Sequence, residues 1–259
     1  GFIFVSADDP GLASSQNGLY TEPGTGRDLN GNKTRAAKAQ LLIEPSDSLS
    51  LRLIGDYSYS SGNCCYATSA FIDGPTQPLI DLLTVYQPAS SAQFLGVLAG
   101  ALPASVMTPT GRQLPARDPA RFEQTLNGNG KQTIEDYGGT LLIDAEIGAG
   151  TLKSITAVRK FGVNQVDLDP DFSGADLFRY NESFSSRFIS QELVYNTKIS
   201  GLNAEAVFGL FFSDEKLTMG RSLPWGNQAQ FYWDAVFAQL GVAPGTANAA
   251  PGTWTSERM

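Results

Sequence analysis

The chain has 259 residues, with 18 Lys and Arg against 26 Asp and Glu, a formal net charge of −8, and no histidine. The missing histidine removes Ser-His-Asp and Cys-His catalysis, histidine general bases and most zinc or copper sites. An acidic balance without any Lys/Arg cluster argues against nucleic acid, which is held by phosphate neutralisation. No enzyme activity is expected. Charged residues are only 17% of the chain while 27 Gly and 14 Pro supply many turns, a composition that favours β structure over helical bundles.

The opening GFIFVSADDPG has no basic region, long apolar run or small-residue cleavage site, so it does not read as a signal peptide. Residues 35–44, RAAKAQLLIE, place Ala37, Ala39, Leu41 and Ile43 on one face and Lys38, Gln40 and Glu44 on the other, the two-residue period of a strand with one apolar side. Leu42 breaks the pattern. After PSDS, Leu49, Leu51, Leu53, Gly55, Tyr57 and Tyr59 oppose Ser50, Arg52, Asp56 and Ser58, with Ile54 the exception.

A very long connection, residues 62–136, then interrupts the strands. Within it PLIDLLTVY and AQFLGVLAGALPASVM read as short helices packed over one end of the fold. The longest nearly apolar run, residues 94–107, holds Gly96, Gly100 and Pro103 and falls short of the roughly 20 residues a spanning helix needs.

The strand pattern returns at residues 140–147, TLLIDAEI, where Leu141, Ile143, Ala145 and Ile147 oppose Thr140, Asp144 and Glu146. Its partner across GAG is residues 151–161, whose outward face is ambiguous because Ile155, Ala157 and Phe161 compete with Leu152 and Val158. A third pair, residues 185–196 and 203–215, turns at ISG and sets Ala206, Phe208, Leu210 and Phe212 against Glu205, Gly209 and Ser213. Residues 165–182 form another long connection, and residues 216–259 read as a further loop and the end of the chain. In that last part Tyr232, Val236 and Leu240 have helical spacing. Trp225, Phe231, Tyr232 and Trp233 suit either ligand capture or a core internal to the loop.

Tight turns at one end and long connections at the other are abnormal in a compact soluble domain and normal in a transmembrane β-barrel. The expected fold is therefore all-β: a partial, open segment of an antiparallel transmembrane barrel with long extracellular loops, Tyr57 and Tyr59 lying where the oily wall meets headgroups. A soluble sandwich shows the same alternation but has no reason to keep its long connections on one side. Lys38, Gln40, Glu44, Arg52, Asp56, Asp144, Glu146, Glu192 and Glu205 then face the lumen. Asp144 and Glu146 share a face without a cleft partner, so they read as wall rather than as a glycosidase pair.

The stretches GRDLNGNKTRAAKAQLLIEPSDSLSLRLIGDYSYSSGNCC and DYGGTLLIDAEIGAGTLKSITAVRKF, with DLDPDF, RYNESFSSRFISQELVY and AVFGLFFSDE, resemble the barrel region of TonB-dependent outer-membrane receptors over residues 26–215. The resemblance implies a barrel of about 22 strands closed by a separate plug domain. It also implies import of scarce nutrients, such as ferric siderophores, cobalamin, haem or oligosaccharides, with energy relayed from the inner membrane. The expected setting is the outer membrane of a Gram-negative bacterium. The expected partners are outer-membrane lipid, the plug, the TonB energy-coupling protein and a small ligand such as an iron chelate, with no cofactor and no metal.

No plug, coupling box or aromatic-ended closing strand is recognisable, so the chain reads as an internal portion of about seven to nine strands. Its open edges are expected to prevent stable insertion alone. Cys64 and Cys65, on the side assigned to the exterior, read as a candidate disulfide at the base of the long loop, two sulfurs without histidine being too few for a metal. Two other readings stay open: a passive porin or adhesin-type barrel, and a soluble secreted carbohydrate-binding β domain.

Overall fold

Strand alternation resolves into one large antiparallel sheet in the computed structural model, which describes residues 3–7, 12–63, 74–116, 118–199, 201, 203–251 and 254–258. In chain order the elements are β1 (Ile3–Ala7), β2 (Leu12–Gln16), β3 (Tyr20–Thr21), β4 (Asp28–Leu29), β5 (Asn32–Ser46) and β6 (Leu49–Gly62). Then come α1 (Gln77–Val85), β7 (Tyr86–Gln87), α2 (Ser91–Leu98), β8 (Thr108–Pro109), β9 (Lys131–Ile147) and β10 (Gly150–Leu168). The series ends with β11 (Tyr180–Ile199), β12 (Ala204–Pro224), α3 (Ala229–Ala238) and β13 (Trp254–Arg258).

The main sheet has nine strands in the order β1-β5-β6-β9-β10-β11-β12-β13, with β2 also on β5. Sequential strands pair through tight turns at one end, where Gly148 (φ 61°) and Gly201 (φ 96°) take the left-handed conformation such turns require. β1 and β2 share the outer edge of β5, against Ala39–Ile43 and Asn32–Ala36 respectively. At the far side β13 covers only Gly220–Pro224 of β12. The sheet is open: its two edges do not meet.

The strands run further than their alternation suggests. β9 begins at Lys131, β10 reaches Leu168, and β12 continues to Pro224 instead of yielding to a loop after Glu215. The added segments carry Ser, Thr, Lys, Arg and Asn on both faces, so the two-residue hydrophobic signal fades although the backbone ladder continues. Register also settles the ambiguous strand. Leu152 and Val158 lie on the same face as Ile143 and Ile189, while Ile155, Ala157 and Phe161 lie on the other.

At the long-connection end α1, α2 and α3 pack into a cap. Its core is Leu79, Leu83, Phe94, Met107, Ala175, Leu177 and Ala235, drawn from all three helices, from the residue before β8 and from the loop between β10 and β11. Among the described residues the buried apolar side chains sit in this cap and the adjoining loops, with Leu168 at the very end of β10 the one from a wall strand. No helix among the described residues is long and apolar enough to cross a membrane.

Candidate functional site

Register sorts the wall into two chemically different faces. One carries the row Leu41, Leu53, Leu141, Thr156, Gln191 and Phe212 and the adjacent row Ile43, Leu51, Ile143, Ser154, Leu193 and Leu210. Its large side chains are exposed: Leu53 by 51%, Val158 by 49%, Phe208 by 61% and Leu210 by 73%. A contiguous apolar surface of this extent marks a surface that something covers.

Toward the cap this face ends in a single row, Tyr57, Tyr137, Lys160, Arg187 and Lys216, each directly opposite the next. The Tyr57 and Tyr137 rings are 6.5 Å apart and Lys160 Nζ lies 5.8 Å from the Tyr137 ring centre. Asp214 sits one step inside the row, two residues from Lys216. At the turn end Tyr195 donates to the Ile147 carbonyl at 2.9 Å. Arg187 and Tyr195 are eight residues apart on β11, about 27 Å of strand at roughly 3.4 Å per residue. The apolar band of outer-membrane barrels, bounded by aromatic girdles, is about 25 Å tall.

The opposite face collects the polar set named from the sequence. Lys38 pairs with Asp56 in register, Gln40 with Ile54, and Arg52 lies between Leu42 and Leu142. Asp144 stands between Ser50 and Lys153, whose Nζ is 3.4 Å away, and Glu146 is opposite Thr151. Glu192 lies between Ile155 and Phe211, and Glu205 is opposite Lys198.

Sequence reasoning missed the centre of this face, Arg159. Its guanidinium bonds Asp136 at 2.7 Å and both Asp56 oxygens at 2.9 and 3.0 Å, reaching across a whole strand. Gly138 makes that reach feasible: a Cβ there would lie 2.8 Å from the Val158 carbonyl and 3.3 Å from Arg159 Cζ.

In the cap, Phe231 and Tyr232 are half-buried against the helical core. Trp225 and Trp233 stand edge-to-face at 6.4 Å in a ladder that continues to Phe178 and Phe237. Two polar side chains that the sequence did not flag pin the cap. Gln228 is fully buried, accepts from the Asp176 amide at 2.7 Å, and donates to the carbonyls of Leu83 at 2.8 Å and Tyr86 at 3.0 Å. Asp234, 2% exposed, accepts from Ser91 Oγ, Gln230 Nε2 and the Gly245 amide. Cys64 and Cys65 lie outside the described residues.

Beneath the cap the β10–β11 loop packs an acidic turn, DLDPDFSGAD, against Asn127. Asp167 and Phe172 take left-handed φ values of 57° and 53° at its bends. Arg179 pairs with Asp167 and Asp176 and donates to the Asn127 carbonyl at 2.9 Å, where Arg112 also donates at 3.3 Å. The Asn127 amide donates to Asp169 Oδ2 at 3.1 Å, and Ser173 Oγ donates to Asp171 Oδ1. Burial pushes the Asp169 carboxyl up to about 6, and burial together with the neighbouring Asp169 charge pushes Asp171 up to about 8. The D-x-D-x-D spacing at Asp167, Asp169 and Asp171 is the signal that was available for this turn.

No family model matches the chain, and no curated protein matches it. Among solved structures it is similar to the crystal structure of the ferric yersiniabactin uptake receptor FyuA from Yersinia pestis, with 12% identity and a TM-score of 0.54. The similarity covers 87% of this chain and 28% of that one, so the chain spans less than a third of the receptor's length. At this identity the likeness is one of fold, an open arc of antiparallel barrel wall with its loops.

Proposed function

We propose that this chain forms a section of the wall, and part of the outer loop cap, of a TonB-dependent outer-membrane receptor that imports a scarce nutrient such as a ferric siderophore. The carrying observation is the inversion of burial: the small core is in the cap, while the long strands keep an apolar face exposed and rimmed by tyrosine, lysine and arginine. Bilayer supplies what water cannot, contact with that face. The Arg159 face then looks onto the lumen and the plug, and the cap stands at the mouth where ligand is collected. The role is binding and passage, without catalysis.

The test is uptake by a Gram-negative host in iron-limited medium, with and without the gene. Expected is loss of accumulation of one labelled ferric siderophore, and sensitivity of that uptake to a protonophore. Uptake of siderophores, cobalamin and haem that is unchanged by the deletion refutes the proposal. Uptake that persists after the proton gradient is collapsed points instead to a passive pore.

A further inference from the structure

The loop between β10 and β11 contains oxygen atoms that protein hydrogen bonding leaves unanswered. Among the described residues Asn127 Oδ1, Asp169 Oδ1 and Asp171 Oδ2 are each buried and without a hydrogen-bond partner. Asp169 is 1% exposed and Asn127 only 5%. Each orphaned buried acceptor carries an uncompensated desolvation cost, about 1–3 kcal/mol in general and more for a charged group.

The three residues adjoin one another. The Asn127 backbone N–H donates to Asp169 Oδ2 at 3.1 Å, its side-chain Nδ2 donates to the Ala175 carbonyl at 2.9 Å, and the Asp169 and Asp171 carboxyls lie within hydrogen-bonding reach of each other. Asn127 is neutral and comes from a different part of the chain, so its unanswered oxygen is evidence independent of the acidic turn. The Asp169 carboxyl also takes backbone hydrogen bonds from Asp171, Phe172 and Ser173, and Ser173 Oγ donates to Asp171 Oδ1, but no protein donor reaches Asn127 Oδ1 among the described residues, and that amide oxygen points to an electropositive ligand.

We infer that Asp169 Oδ1, Asp171 Oδ2 and Asn127 Oδ1 are protein ligands of a calcium ion that ties the end of the long loop to the β10–β11 loop beneath the cap. The donor set is hard oxygen only, two carboxylates and one amide, which suits calcium and excludes a thiol or imidazole metal. Among the described residues no group of three or more His, Cys, Asp or Glu side chains converges. The site therefore depends on a neutral oxygen and on water to reach the six to eight ligands calcium takes.

Charge agrees with a dication. Asp167 and Asp176 pair with Arg179, whereas Asp169 and Asp171 have no salt-bridge partner among the described residues. Selectivity over magnesium follows from irregular, loop-borne ligands that do not impose octahedral geometry. This inference goes beyond the transport reading and does not require it, because its readouts are binding and cap stability rather than uptake.

The experiment titrates CaCl2 into the intact detergent-purified protein after EDTA treatment, by calorimetry, and follows thermal unfolding of the cap through its tryptophans. Expected are one ion per chain, affinity in the range of about 10⁻⁴–10⁻³ M common to extracellular calcium modules, and an upward shift of several degrees in the cap midpoint. Asp171→Asn and Asp169→Asn abolish the shift, yet in EDTA melt no lower than wild type, because each removes one of two touching carboxyls. That pairing separates lost binding from lost folding. Wild-type protein indifferent to calcium up to 10 times that range overturns the inference and leaves a shared proton as the solution for the pair. Retention of the full shift by both variants, or an equal response to MgCl2, overturns it as well.

Discussion

Gln228→Leu is expected to loosen the cap while leaving the wall intact. The substitution keeps the approximate volume of a fully buried side chain but removes its three hydrogen bonds, stranding the Asp176 N–H and the carbonyls of Leu83 and Tyr86. A buried polar group left without a partner costs about 1–3 kcal/mol, so three together lose about 3–6 kcal/mol after partial relaxation. The loss falls on one junction, because these groups belong to α1, to the strand residue after it and to the β10–β11 loop, with Gln228 just before α3. Amide hydrogen exchange of the intact protein in detergent micelles reads this directly. At 1.4 kcal/mol per decade, amides of α1 and α3 are expected to exchange at least about 10²-fold faster, with β9, β10 and β11 unchanged. Exchange in α1 and α3 within twofold of wild type would refute the keystone role. An equal increase in the wall strands would refute the separation of cap from wall.

Other outcomes follow from the wall. Leu53→Arg, on the exposed apolar face, is expected to cost about 2–4 kcal/mol in urea unfolding from a bilayer, and Ile54→Arg, its neighbour on the opposite face, close to nothing. Gly138→Ala forces a Cβ to 2.8 Å from the Val158 carbonyl and is expected to cost about 1–3 kcal/mol, whereas Gly162→Ala, with 3.8 Å to its nearest atom, serves as the neutral control in the same unfolding assay. A double-mutant cycle on Arg159→Ala and Asp56→Asn is expected to give a coupling of only about 0.2–1 kcal/mol, because the two side chains are 43% and 34% exposed. A coupling of several kcal/mol would show that the pair is desolvated in the assembled wall.

Where the sequence spoke, it spoke through alternation. Leu49 to Tyr59 and Leu141 to Ile147 name their faces because oily and polar residues alternate there with only Ile54 and Leu142 out of step, and eight of the nine residues assigned to the lumen share one face in register, Glu44 lying at the irregularity near the end of β5. Past the tyrosine row polar side chains occur on both faces among a few apolar ones such as Ile134, Val163 and Leu217, so the extra length of β9, β10 and β12 left only a weak hydrophobic trace. Arg159 was hidden for a related reason: its strand mixes Ile155 and Phe161 with the polar face, and its reach to Asp56 depends on a glycine one strand away. The helices of the cap were visible as apolar runs. Gln228, Asp234 and Asn127 were not, since a buried amide or carboxylate is distinguished by its partners and not by its neighbours in sequence.

Wall and cap are therefore held by different physics, and the difference bears on gating. In the wall each backbone group of an inner strand is committed to a ladder with two neighbours, so opening any one strand breaks a row of bonds at once. The cap rests on a small cluster of seven buried apolar side chains, the half-buried ones packed around it and a few buried polar pins. Removing one pin costs a large share of what such a core supplies, so the cap opens at lower free energy than the strands that carry it. On the transport reading proposed above, admitting a bulky ligand without breaching the bilayer needs that order of stabilities. The acidic turn beneath the cap is where an ion from the medium adjusts it, because calcium there joins the end of the long loop to the β10–β11 loop and stiffens the mouth without touching the wall.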